Sequence, residues 1–155
     1  MIIITDRNLL DITTAKEIIS KIQSKGFSSL TEYEKQQWSN GLKGALNFND
    51  MNRIEGNILE ISQMVGAEIV EPFTEWSMET LPTLKDFERI RHNTELIREK
   101  ASVSNTPYVP ELPLNRYDKI NDIEKILFDA YLIASPEVPQ YYIDEIYIDE
   151  EIGDI

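Results

Sequence analysis

Apolar residues recur at helical spacing along four stretches of the chain, and the clearest of these is in the middle. Met51, Ile54, Ile58, Ile61 and Val65 step by three and four residues, and Gly66 follows them. This spacing places the apolar side chains on one face of a helix, and glycine favours a helix end. The same period appears in Ala15, Ile18, Ile19, Ile22; in Phe87, Ile90, Thr94, Ile97, Ala101; and in Ile120, Ile123, Leu127.

Polar residues three positions apart mark where helices begin. In a capping box, a Ser, Thr or Asn side chain and an acidic side chain three residues later satisfy backbone N–H groups of the first turn. One such pair predicts a fifth helix, which carries Tyr33 and Trp38. The pairs mark the starts of all the predicted helices except the central one. We expect the central helix to begin after Asn49 or Asp50. The pairs are Thr14 with Glu17, Thr31 with Glu34, Thr83 with Asp86, and Asn121 with Glu124.

The segments outside these helices predict short β or extended structure. Ile2, Ile3 and Ile4 are β-branched and predict a short strand or an extended arm, and residues 68–71 predict a further short strand. Three prolines within 102–117 exclude a helix and favour an extended strap across the surface. We therefore predict a mainly α protein: a bundle-like domain of about five helices at 1–135, with short β segments or arms at both termini.

The C-terminal arm, 136–155, differs from the rest in charge and in aromatic content. It contains seven of the 28 acidic residues and no Lys or Arg, in a chain of net charge −13. One interpretation is a solvated acidic tail. Another is a strand that pairs with residues 2–4 or with a sheet edge of another chain, because terminal strands can add to such edges. The candidate assembly contacts in the arm are Tyr141, Tyr142, Ile146, Tyr147 and Ile148.

Two arginines of the fourth predicted helix, Arg89 and Arg91, are further candidate contacts. With Arg98 and Lys100 they form a basic series, which is interleaved with glutamates. A mixed solvated face explains this pattern, and so does a docking surface for an acidic strand such as the C-terminal arm.

Composition argues against several function classes. The negative charge repels phosphate backbones, so we expect no nucleic-acid partner. The chain has no Cys and one histidine, His92, and it lacks the glycine patterns of phosphate and dinucleotide sites. No apolar run is long enough for a membrane span. We expect no enzyme activity, no metal site, no cofactor, no membrane partner, and synthesis in the cytoplasm.

The type and spacing of five residues indicate structural roles, namely Trp38, Gly41, Gly44, Arg53 and Trp76. The glycines after Trp38 permit a sharp reversal into the third helix. Arg53 lies in the first turn of that helix, where a positive charge opposes the helix dipole, so we expect a specific partner such as Asp50 or a carbonyl.

The order of these motifs resembles a family of small structural proteins encoded by phages and prophages of Gram-positive bacteria. The resemblance rests on residues 31–38, 41–47 and 50–55, on Thr5-Asp6-Arg7, and on later blocks at Trp76, 81–83, 110–113 and 121–127. It implies a virion protein of the tail, baseplate or tail-fibre region, present in multiple copies among other phage structural proteins. Two alternatives remain: an acidic inhibitor or immunity-type module, and a fibre accessory that binds host glycans through exposed aromatics such as Trp76.

Overall fold

A computed structural model describes residues 1–136, which form five α-helices. These are α1 (Leu9–Lys25), α2 (Glu32–Ser39), α3 (Phe48–Val65), α4 (Leu84–Ala101) and α5 (Tyr117–Ala134), with a short 3-10 turn at Phe27–Ser29. The mainly helical prediction is confirmed. Residues 1–136 contain no β-strand, so the strand predicted at 68–71 is wrong, and residues 2–4 form the extended arm instead. The C-terminal arm lies outside the described residues, apart from Pro136.

The capping predictions hold for two helices and need correction for three. Thr31 and Thr83 form their capping boxes as expected. By contrast α1 is capped by Asn8 and Asp11, six residues before the predicted cap Thr14. Apolar periodicity did not indicate this start, because Leu9 and Leu10 are exposed and do not extend the apolar seam. Helix α3 is capped by Asn47, and α5 begins at Tyr117, upstream of Asn121.

The main core is formed by the apolar seams of α3, α4 and α5. Ile54, Ile58, Ile97, Ile123 and Leu127 each have 1% exposure or less. Burial of a side chain of this size contributes about 1.5–3 kcal/mol, so these helices supply most of the hydrophobic stabilisation. The seams predicted from helical periodicity are therefore confirmed.

The three core helices run in the same direction. Glu55 of α3 bonds Arg89 of α4 near the start of both helices, and Gly66 lies against Lys100 where both end. The N-terminal arm shows the same for α3 and α5. Its residues Ile2 and Ile4 contact Asn57 and Glu124, whereas Arg7 contacts Asp50 and Asn121, which lie nearer the starts of the two helices. Parallel helices require long returning connections. Residues 67–83 and 102–116 provide them.

Asparagine side chains hold the extended segments against the helices. Asn52 bonds both the N–H and the carbonyl of Trp76, at 2.8 and 2.9 Å. Asn93 does the same for Val70, at 2.9 and 2.7 Å. Asn121 contacts both backbone groups of Arg7. Each amide thus replaces the backbone partner that a neighbouring strand would provide, which is how non-helical backbone avoids unsatisfied polar groups.

The proline-rich segment is a strap that runs alongside α4. Arg91 donates to the carbonyl of Pro110 at 3.0 Å, and Arg98 donates to that of Pro107 at 3.2 Å. The Arg98 guanidinium also lies 5.7 Å from the ring centre of Tyr108, within cation–π range. Arg91 and Arg98 of α4 therefore dock a strap of the same chain, through its carbonyl oxygens.

Helix α1 and the segments on either side of α2 form a smaller apolar cluster beside the main core. Ala15, Ile18, Leu30 and Leu42 are buried there, with Ile19, Ile22 and Ala45 partly buried around them. Gly44 lies so close to α1 that a Cβ atom would be 2.0 Å from the Asp11 carbonyl oxygen. The glycine lets the 40–47 connection turn against α1, and this contact brings the small cluster to the start of α3.

Candidate functional site

An open groove of about 570 Å³ lies between the small cluster and the main core. Ile19, Leu42 and Ala45 line it from the small cluster, and Met51 and Trp76 line it from the main core. Its volume is in the range of ligand clefts, and the residues that line it carry no charge. The groove is therefore an apolar space that the side chains of neither cluster fill.

Large apolar side chains surround the groove and reach into solvent. Met78 is 79% exposed and Leu81 is 82% exposed, while Trp38 and Leu46 are each more than one-third exposed. Single exposed apolar residues are common, but a contiguous patch of them beside a cavity is typical of an interaction site. This makes the groove the best candidate functional site in residues 1–136.

The floor of the groove is positioned by the block that follows the second helix. Asn47 caps α3, and Asn52, one turn further, holds the Trp76 backbone in place. Phe73 meets the Trp76 ring edge to face, with ring centres 4.9 Å apart. Trp76 is only 5% exposed, and within the described chain its indole N–H has no hydrogen-bond partner. Trp76 is therefore held beside the groove by Asn52 and Phe73, and its indole N–H is an unsatisfied donor there.

Two helix N-termini flank the groove. Asn47, Phe48 and Asn49 at the start of α3 line it, as does Pro82, just before α4. The positive end of a helix dipole favours negative charge nearby. Asp50 and Asp86 already complete the capping boxes at these two ends, so the preference of the groove is for bulky apolar side chains.

A second cavity of about 330 Å³ adjoins the groove, and Leu46 and Pro82 line both. Tyr117 and Ile120 of α5 line its other side. This adjacency places the groove at the end of the molecule where α5 begins, and so at the opposite end from where α5 finishes.

A buried ionic cluster secures the N-terminal arm beside this region. The guanidinium group of Arg7 lies 2.9 Å from Glu124 and 3.3 Å from Asp50, and Arg53 pairs with both of these carboxylates. Glu124 also accepts from the Ile4 N–H at 2.8 Å. The side chains are 14% exposed or less, and two positive charges balance two negative ones. The expectation that Arg53 has a specific partner is confirmed with Asp50, and Glu124 is a second one.

Arg89 forms a separate ionic contact within the chain. It bonds the fully buried Glu55 at 2.5 Å and Asp86 at 2.9 Å. The hydrogen bond from Arg89 to Glu55 raises the pKa of the guanidinium group. Arg91 pairs with Glu95 at 3.2 Å as well as with the strap. Both arginines predicted as assembly contacts are thus engaged internally.

The other predicted site residues fall into three places. Trp38, Gly41 and Trp76 line the groove, with Gly41 in the left-handed region at φ +82°. Gly44 packs on α1 and Arg53 lies in the ionic cluster. Trp76 is buried, so it is not one of the exposed aromatics that the glycan-binding alternative requires. Tyr141, Tyr142, Ile146, Tyr147 and Ile148 lie outside the described residues.

Sequence patterns did not indicate the exposed residues that surround the groove. Met78 and Leu81 lie in an irregular segment without apolar periodicity, so nothing in their spacing marked them. The available signal was the density of apolar residues between Trp76 and Leu84 without a helix to bury them.

Comparison with known proteins returned no match: no protein-family model, curated protein or solved structure is similar to the chain. No helix in residues 1–136 is long and apolar enough to cross a membrane. That part of the chain also contains no group of three or more His, Asp or Glu residues arranged to hold a metal ion.

Proposed function

We propose that the protein is a structural component of a phage particle, in the tail, baseplate or tail-fibre region, and that the apolar groove is its docking site. The observation that carries the docking role is the contiguous apolar surface of Trp38, Leu46, Met78 and Leu81 around an uncharged cavity. The placement in a phage particle is supported by the resemblance of the sequence blocks.

The residues of those blocks hold the fold together, which supports an assembly function. Within 50–55, Asp50 and Arg53 belong to the ionic cluster, Asn52 fixes Trp76, and Glu55 bonds Arg89. Residues of these types at this spacing serve to hold segments in place around the groove. A folded scaffold that presents an open apolar surface is suited to binding another protein.

The test is incorporation into particles, measured by peptide mass spectrometry of virions purified from a strain that produces the phage. We expect the unaltered chain to be present in several copies per particle. Leu81→Asp places a charge on the groove margin without touching either core, so its content per particle should fall at least about tenfold if contact burial contributes 1.5 kcal/mol or more.

Leu10→Asp is the matched control, because Leu10 is 72% exposed but lines neither cavity. This variant should be incorporated like the unaltered chain. Absence of the protein from purified particles would overturn the phage role, and equal incorporation of the two variants would overturn the role of the groove.

A further inference from the structure

We infer that the groove receives the C-terminal segment 141–148 of a second copy of this chain, so that copies associate head to tail. This inference rests on the proposed function and names the partner of the same site. It differs from the two pairings that the sequence suggested. Residues 1–136 present no sheet edge to a terminal strand, and Arg89 and Arg91 are engaged within the chain.

The chemistry of the segment matches the groove. Tyr141, Tyr142, Ile143, Ile146, Tyr147 and Ile148 supply large apolar side chains, and Asp144, Glu145 and Asp149 lie among them. The groove offers an uncharged apolar lining between the N-termini of α3 and α4. Burial of these apolar side chains against the lining drives the contact.

Chain length argues against the same copy as the source. The 18 residues of α5 carry the chain about 27 Å from the end of the molecule that holds the groove. An extended chain advances about 3.3 Å per residue, so about eight residues after Pro136 are needed to return. Only residues from about 144 onward could enter their own groove, which excludes Tyr141, Tyr142 and Ile143. A second copy presents all six apolar residues.

The contact is therefore heterologous: the donor surface and the acceptor surface are different parts of the chain. Contacts of this type produce rings when the rotation closes and filaments when it does not. Either outcome suits a protein that is repeated within a particle.

Complementation between two full-length variants tests the inference. Leu81→Asp damages the groove and keeps the segment, whereas Ile146→Asp damages the segment and keeps the groove. By sedimentation velocity, the parent chain and Leu10→Asp should self-associate as concentration rises, and each damaged variant alone should stay monomeric. Mixed together, the two damaged variants should form a one-to-one complex and nothing larger, since only one intact contact remains.

Fluorescence of tryptophan gives a direct second readout. The chain has two tryptophans, Trp38 and Trp76, and both line the groove. A synthetic peptide of residues 139–150 should shift the tryptophan emission of Ile146→Asp to shorter wavelength. It should bind Leu81→Asp at least about tenfold more weakly, and a peptide carrying Ile146→Asp should cause no shift.

Each result has a definite meaning. A monomeric parent at all concentrations, or no complex in the mixture, overturns the inference, as does a peptide that leaves the emission unchanged. If particles lose Leu81→Asp while the peptide fails to bind, the proposed function stands and another protein occupies the groove. If the peptide binds and the copies associate but purified particles lack the chain, the inference stands and the phage role fails.

Discussion

At the scale of single residues, buried charged side chains and closely packed glycines affect stability more than exposed side chains do. Arg7, Asp50, Arg53 and Glu124 balance each other out of solvent, whereas the Glu32–Lys35 pair has a carboxylate that is 90% exposed. Exposed ion pairs contribute about 0–1 kcal/mol, but removing one partner of a buried pair leaves an uncompensated charge. Substitutions at the two kinds of site should therefore differ widely in effect.

We expect Glu124→Gln to lower the free energy of unfolding by about 3–5 kcal/mol, because two buried arginines would then face the single carboxylate of Asp50. Urea unfolding followed by circular dichroism measures the change. Glu32→Gln is the matched control and should change it by about 1 kcal/mol or less. Equal effects of the two variants would show that the cluster does not anchor the arm.

Two glycines offer an equally sharp contrast. A Cβ at Gly44 would lie 2.0 Å from the Asp11 backbone, which cannot yield without moving α1, so Gly44→Ala should destabilise the protein by about 1–3 kcal/mol. Gly56 lies within α3 with nothing within 4 Å of the same position. Gly56→Ala should stabilise it by about 0.5–1 kcal/mol. Thermal unfolding of both variants would show opposite shifts, and shifts of the same sign would contradict the packing described for Gly44.

At the scale of helices and connections, fewer apolar residues hold α1 and α2 together than hold the helices of the main core together. An ionic contact between α1 and α2 therefore contributes to their packing. Lys21 of α1 lies 2.5 Å from Glu34 of α2, and this hydrogen bond, with a further one from the Thr31 backbone, lowers the pKa of Glu34 to about 2. Glu34 also completes the capping box of α2. A single carboxylate thus links the helix start to its neighbour.

The sign of the pH effect follows from this depressed pKa. The stabilisation by Glu34 is fully present above its ordinary pKa of 4.5 and is lost as the pH falls through about 2. A titration followed by carboxyl-carbon NMR should place Glu34 near pH 2 in the parent and closer to 4.5 in Lys21→Met. A parent Glu34 that titrates near 4.5 would show that the two helices are not linked through this pair.

Capping-box spacing predicted helix starts correctly where the two residues bond to each other. The prediction failed where residues of the same types make tertiary contacts instead. Thr83 and Asp86 form a capping box as their spacing predicts. Asn121 and Glu124 have the same spacing, yet they bind Arg7 and Ile4, which are more than 100 residues away. Spacing alone cannot separate these uses, because a polar side chain satisfies a distant backbone group as well as a nearby one.

The sequence predicted some of the residues that line the groove, but it did not predict the groove itself. Trp38, Gly41 and Trp76 were recognised as structurally important by type and spacing, and all three line it. The parallel course of α3, α4 and α5 was not predictable, because it depends on asparagine contacts between segments that have no shared pattern. Without that course, the proximity of residues 76–82 to the start of α3 cannot be inferred.

At the scale of the whole molecule, the net charge of −13 opposes any association between copies. Like charges on two chains repel over distances set by the ionic strength, with a Debye length of about 30 Å at 0.01 M and about 8 Å at 0.15 M. Burial of apolar side chains in the groove is not weakened by screening. Added salt therefore reduces the repulsion between copies and leaves the apolar attraction in place.

This response to salt separates assembly through the groove from the alternative of an acidic module that masks a basic partner. Self-association through the groove should strengthen as salt rises from about 0.01 to 0.15 M, because screening removes repulsion while the apolar contact persists. Binding of a basic partner should weaken over the same range, because there the charges attract. Sedimentation equilibrium at several salt concentrations measures the first, with Leu81→Asp as the control that should stay monomeric throughout. Self-association that weakens with salt would mean that charge, and not the apolar groove, drives the contact between copies.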